Sequence, residues 1–278
     1  MNLNKELSFD KKMEILDSIS DGKNLFEIVA IPKLEGALNI TNAMKLFFAQ
    51  QSGLKSKMVK ITLNNSEIKT EAGALYFYCG NITSKAQIGG IGGLFKKSIS
   101  GGLTGESAIK PLYSGSGEIW LEPSFAHYIF LELHNESIIV DKGMFYACSG
   151  SIDVSACSQK NISSAFLGGE GLFQMKLKGT GVVVLESKVP QSEILKYDIS
   201  EGETLKVDGN FAIARTEGIS FTVSKSDKGL IGSALNGEGL LNTFTGHGSV
   251  WIAPTSPIYR KLNYGDLPIN NSSMNNKE

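Results

Sequence analysis

Short apolar runs, alternating or continuous and each closed by glycine or a polar turn, recur along the whole chain. SEIKTEAGALYFYC (66–79) alternates and is rich in aromatic and β-branched residues, the pattern of a half-buried strand. VVVL (182–185) and IWL (119–121) are apolar runs bounded by glycine, too brief for helices. FEIVAIP (26–32) and GALNI (36–40) read as strands that begin the first of these units. Residues 5–19 differ. Leu7, Met13, Ile15, Leu16 and Ile19 give a modest helical reading with mixed charge. NAMKLFFAQQSG (42–53) reads either as a short helix closed by Gly53 or as a strand pair, and the strand pair is preferred. The longest apolar stretches, Ala74–Cys79, Val182–Leu185 and Phe125–Leu131 with His127 inside, are strand-sized, so no bilayer span is expected.

The pattern repeats. Gly105-Glu106-Ser107, Gly169-Glu170-Gly171 and Gly237-Glu238-Gly239 each lead to a Gly-x-Gly and then an apolar strand. Those strands are EIWLEP after Gly115-Ser116-Gly117, VVVLES after Gly179-Thr180-Gly181 and SVWIAP after Gly246-His247-Gly248. The glutamates are spaced by 170 − 106 = 64 and 238 − 170 = 68. A second marker keeps step: TEAGALYFYCGNI (70–82), VDKGMFYACSGSI (140–152) and VDGNFAIARTEGI (207–219) each hold an acid, a turn and a strand. Their acids, Glu71, Asp141 and Asp208, are spaced by 70 and 67. The glycine pairs suit hairpins or bulges, since glycine reaches φ > 0 without a Cβ clash. The expected fold is all-β: three tandem β-sandwich-like repeats packed around one core and a pseudo-three-fold axis. The expected division is an extension over 1–21, one domain over 22–258 with repeats at about 22–123, 124–189 and 190–258, and a tail over 259–278. Beyond Tyr264 that tail is polar and without aromatics, the composition of a disordered end.

Composition narrows the function classes. Lys and Arg number 27 against 28 Asp and Glu, a net charge of −1, without the basic excess that nucleic-acid coating requires. A hydrophobic share of 41% is enough for a sizeable core. The 31 glycines have no Gly-X-Y period and fit tight turns rather than collagen. Residues 1–20 lack the apolar core of a signal peptide, and Cys79, Cys148 and Cys157 are odd in number with no C-x-x-C. A reduced, cytoplasmic protein is therefore expected.

Two of these segments resemble a known family. LGGEGLFQMKLKGTGVVVLES (167–187) is similar to the central signature of the AIM24 family, named for altered inheritance of mitochondria and long counted as a domain of unknown function. GETLKVDGNFAI (202–213) resembles its turn-then-strand element, and the similarity runs from about Phe26 to Pro254. The resemblance implies three repeats, each similar to the β-sandwich subunit of the trp RNA-binding attenuation protein. It implies no settled activity; the mitochondrial members are linked to inner-membrane organisation. The first repeat departs from the signature at Ser107 and in the longer GGIGGLFKKSISGG (89–102).

Candidate chemistry is sparse. No Gly-x-Gly completes G-x-G-x-x-G, and each opens a strand, so no helix N-terminus would hold a phosphate. GGIGGLFKKS (89–98) has Lys96 where a P-loop needs glycine, and reads as a basic hairpin tip. Lys96 and Lys97 are the contacts expected of any anion bound there. Glu106, Glu170 and Glu238 either ring the axis, where they would need a cation or shared protons, or accept N–H bonds from their own glycine turns beside Gly105, Gly169 and Gly237. The turn role is preferred. His127 and His134, seven apart on one strand, face opposite ways, wrong for one metal. Cys148 and Cys157 read as structural thiols. Tyr76, Phe77, Tyr78 and Tyr146 read as core, with few basic residues beside them, so RNA binding is not expected.

The expected role is a non-enzymatic scaffold that binds a protein partner or itself through strand edges or loop tips, with no catalytic residue, cofactor, metal, DNA or transmembrane segment. A small-molecule-binding or metal-binding module is the alternative, with RNA binding or an enzyme behind it.

Overall fold

Antiparallel strands make up most of the chain in the computed structural model, which describes residues 13–88, 109–158, 173–208, 211–225 and 240–264. A hairpin, β1 (Glu14–Ser20) and β2 (Asn24–Ile31), comes first, followed by helix α1 (Ile40–Gln51). The remaining strands fall into three triplets. The first is β3 (Ser56–Thr70), β4 (Leu75–Ile88) and β5 (Ile109–Leu121). In the second, β6 (His127–Asp141) is followed by the interrupted strand β7 (Phe145–Ser149) and β8 (Asp153–Ser158), then by β9 (Phe173–Ser187). In the third every strand is interrupted: β10 (Leu195–Ile199) and β11 (Thr204–Asp208), β12 (Ala212–Thr216) and β13 (Ile219–Lys225), β14 (Leu240–Gly246) and β15 (Gly248–Ile252). Helix α2 (Ser256–Tyr264) follows. A 12-stranded sheet runs β1-β2-β3-β7-β9-β6-β12-β15-β10 with β4, β5 and β8 attached, beside a three-stranded sheet β11-β14-β13. Neither is closed into a barrel. The fold is all-β, as the alternation predicts.

In each triplet the last strand pairs with both others. One bulge occurs at one place in all three: the register slips between Leu75 and Phe77, between Phe145 and Ala147, and between Ala212 and Ala214. A second irregularity lies opposite the first two glycine pairs, where Asn65 (φ 47) and Asn135 (φ 60) adopt left-handed backbone. Asparagine tolerates that region better than most residues. Each Asn donates its N–H to the hydroxyl between the glycines, Asn65 to Ser116 Oγ and Asn135 to Thr180 Oγ1, both at 2.9 Å. In the third triplet the equivalent position is Gly202 (φ 87), in the turn between β10 and β11.

The core clusters follow the joins between triplets. One cluster combines Ile61, Ile68 and Ile119 of the first triplet with Tyr146, Ala147, Val182 and Val184 of the second. The next combines Val140, Phe145, Leu177 and Val183 of the second with Ala214 of the third. A third, Ile199, Val207, Ile219, Phe221, Phe244 and Val250, comes from the third triplet alone, and a small fourth, Val29, Met58 and Trp120, joins the N-terminal hairpin to the first triplet.

Three local readings change. Residues 14–20 are a strand, not helix, because Glu14–Ser20 finds the free edge of β2 and pairs along it. Residues 42–51 belong to α1 and 52–53 to the turn that closes it, not to a strand pair. The Asn39 side chain caps this helix by accepting the Asn42 N–H at 2.9 Å, and Ala, Met, Lys, Leu and Gln favour its interior. GALNI (36–40) is an irregular lead into that cap. Helix α1 buries none of its side chains; Ile40, Met44, Phe47 and Phe48 are exposed.

Candidate functional site

The strand pairing gathers buried polar groups where one triplet meets the next. At the join of the second and third, Asp141 ends β6 and Gln174, its register partner, opens β9. Arg215 comes across from β12 and Asn242 from β14. Gln174 Nε2 donates to Asp141 Oδ1 at 3.1 Å, and Arg215 donates to Gln174 Oε1 at 3.2 Å and to the Ile219 carbonyl at 2.8 Å. Ala212, Ala214, Phe221 and Phe244 complete a cleft with room for about one water-sized molecule, too small for a cofactor. Burial pushes the Asp141 carboxyl up to about 6, against the pull of the Gln174 hydrogen bond and the Lys188 and Arg215 charges. Burial also lowers the Arg215 guanidinium, whose Nε is buried without a hydrogen-bond partner among the described residues. Such a network fixes how two sheets meet, since a buried polar group tolerates few alternative registers.

The join of the first and second triplets has a related set. Glu71, at the place of Asp141, pairs with Lys110, whose ammonium lies 5.1 Å from the Phe145 ring centroid. Lys69 donates to the Gly150 carbonyl at 3.0 Å and to the Ile152 carbonyl at 2.5 Å. Ser149 Oγ donates to Asp21 at 2.5 Å and accepts the Val182 N–H at 2.9 Å. In the third triplet Thr216 Oγ1 likewise accepts the Ser249 N–H, at 3.0 Å. Two of the three acids of the second sequence marker, Glu71 and Asp141, thus stand at the joins. The sequence shows their spacing, but Lys110, Gln174 and Arg215 become their neighbours only through long-range pairing.

The other singled-out residues are placed as follows. Gly105, Glu106, Gly169, Glu170, Gly237, Glu238, Lys96 and Lys97 lie outside the described residues. His127 and His134 both sit on β6; burial and the Lys57 charge lower the former, and the latter is exposed, 3.7 Å from Glu132. Cys148 is buried, its thiol pushed up to about 12 by that burial, while Cys157 is half-buried and Cys79 exposed. Among the described residues no group of three His, Cys, Asp or Glu could hold a metal ion, and no helix is long and apolar enough to cross a membrane.

The aromatic reading needs correction. Tyr146 is core at 7% exposure, but Tyr76, Phe77 and Tyr78 are 59%, 46% and 43% exposed. The cause is the neighbouring strand. β7 is covered along its outer edge by β3, whereas the corresponding edge of β4 has no partner strand among the described residues. Phe77 stacks on Trp120 at 5.6 Å between centroids and 15° between planes, leaving its outer side open.

Comparison with known proteins agrees with this architecture. The chain is 26% identical over 222 residues to an uncharacterized protein of Streptococcus pyogenes serotype M6, covering 77% of this chain and 86% of that one. A Streptococcus pyogenes protein solved by X-ray crystallography shares the fold, with a TM-score of 0.53 at 24% identity over 75% of this chain and 94% of that one. The family model described as mitochondrial biogenesis AIM24 matches residues 48–255, and the chain belongs to the AIM24 family.

Proposed function

We propose that this chain is a non-catalytic scaffold that binds protein, including further copies of itself, through unpaired strand edges. The observation that carries this reading is the outer edge of β4, where Tyr76, Phe77 and Tyr78 stand exposed on a strand with no outer partner among the described residues. Natural sheets commonly blunt such edges with charge, proline or a covering segment; an aromatic row instead offers backbone pairing and apolar contact together. The apolar side chains of α1 provide a second exposed surface. The buried polar sets around Glu71 and Asp141 act in this reading as register pins rather than as acid–base machinery.

The scaffold is further read as one domain over 22–258, three related units about a pseudo-three-fold axis, with 1–21 adding a strand at one side and 259–278 as its tail. The recurring bulges and the shared pairing scheme support that relation. A reducing compartment, the cytoplasm, suits three thiols that each stand free. Native mass spectrometry of the full chain tests the reading. An integral multiple of the chain mass, falling to one on dilution, is expected; a monomer at every concentration that also retrieves no partner protein contradicts it.

A further inference from the structure

Two joins between triplets share one register. In the first, β3 pairs with β7 through Ile68↔Ser149, Lys69↔Cys148 and Thr70↔Ala147. In the second, β6 pairs with β12 through Ile138↔Thr216, Ile139↔Arg215 and Val140↔Ala214. Counted from Glu71, Asp141 and Asp208, these are the same positions. The residue just before one triplet's acid faces the sixth residue after the next triplet's acid. Carried from the third triplet back to the first, the rule gives Val207↔Phe77, Lys206↔Tyr78 and Leu205↔Cys79. Both strands are available: β11 pairs only with β14, and β4 only with β5, among the described residues.

The packing points the same way. The first two core clusters each draw residues from both sides of a join, including Ala147 and Ala214, whereas the third is built from its own triplet alone. The position equivalent to those alanines is the exposed Phe77. Resting on the strand-edge reading above, we infer that β11 of one copy pairs with β4 of a second copy, in the register already used twice within the chain. A head-to-tail join of this kind is heterologous and continues from molecule to molecule until it closes on itself. Among the described residues the sheets are open and these two edges are unpaired, while each copy offers both complementary edges, so the mate is taken to be a second copy.

The hydrogen bonds of the first join specify the pairing further. Glu71 N donates to the Tyr146 carbonyl and Gly150 N to the Glu67 carbonyl, both at 2.8 Å. Transposed, Asp208 N would donate to Tyr76 and Gly80 N to Thr204, leaving Leu205 and Cys79 as a pair without hydrogen bonds between them. Such pairs bring Cα atoms to about 4.5 Å, within disulfide reach.

The test mixes two full-length chains, the wild type and Leu205→Cys/Cys79→Ser, under diamide, which takes up the two thiol hydrogens. The expected product is a covalent heterodimer whose peptide map joins the Cys79 peptide to the peptide containing position 205. Tyr78→Cys and Lys206→Cys on separate chains, each with Cys79→Ser, repeat the test at exposed positions. The inference is overturned if no cross-link joins the mixed chains in either set. It is equally overturned if Leu205→Cys alone, with Cys79 intact, links only within one molecule. Loss of the cross-link while native mass spectrometry still shows multimers removes this register and leaves the scaffold reading standing. Loss of both removes both.

Discussion

Gly115→Ala is expected to destabilise the protein by about 4 kcal/mol, while Gly73→Ala costs only about 1 kcal/mol. Both glycines have positive φ, +138° and +84°, so both substitutions strain the backbone. They differ in surroundings. A Cβ at Gly73 meets nothing within 4 Å, whereas one at Gly115 would lie 2.0 Å from the Asn81 carbonyl oxygen and 3.2 Å from Ile82 Cα. Those are backbone atoms of β4, held in register by the Ile82↔Gly115 pairing, and cannot swing aside as a side chain would. The penalty therefore adds a forced separation of β4 from β5 to the φ cost. Urea unfolding with an unchanged m-value measures the difference directly. Equal losses at the two positions would show that only backbone conformation matters, and that close approach of the strands does not explain the paired glycines.

Asp141→Asn is expected to stabilise the protein at neutral pH, by about 2–3 kcal/mol, and to leave stability near pH 4 almost unchanged. Burial holds the folded carboxyl up at about 6, above its ordinary 3.8. Between those values the folded chain keeps a proton that the unfolded chain has released. Stability from this group consequently falls as pH rises from about 4 to about 6, then stays level. Asparagine resembles the protonated acid and still accepts the Gln174 N–H bond, so the difference between variant and wild type should open over that window. Other groups titrate nearby: Glu186 is also raised by burial, while hydrogen bonds lower Asp21 despite its burial. The comparison is therefore the difference between the two proteins, followed by urea unfolding across the pH range. A loss of stability at neutral pH would mean that the Arg215 charge, and not burial, governs Asp141.

Strand positions and glycine pairs were readable from the chain because alternation and positive φ are local requirements. The bulges at Leu75–Phe77, Phe145–Ala147 and Ala212–Ala214 fall within the second marker's strands, where sequence reading places a strand but not its irregularity. The preference for a strand pair over 42–53 fails for a local reason: Phe47 and Phe48 suit strands, while the Asn39 cap and the run of helix formers outweigh them. Residues 14–20 carry too weak a pattern to choose, and the β2 edge chooses for them. The exposure of Tyr76, Phe77 and Tyr78 was beyond local reading. Their segment matches that of Tyr146 in pattern, and the difference lies in whether another strand covers the outer edge. The polar joins share that limit, since Asp141 and Arg215 are brought together only by the pairing of β6 with β12.

Hydrogen exchange of the full chain at high and low protein concentration addresses the edge-pairing claim most directly, because it reads backbone pairing residue by residue. The account predicts that the amides of Tyr78 and Gly80 on β4, and of Lys206 and Asp208 on β11, are slow to exchange in the concentrated sample and fast in the dilute one. Amides inside the β6–β9 pairing should stay slow in both. Fast exchange of the four edge amides at every concentration would contradict the claim that these two edges are where the molecule joins its next copy.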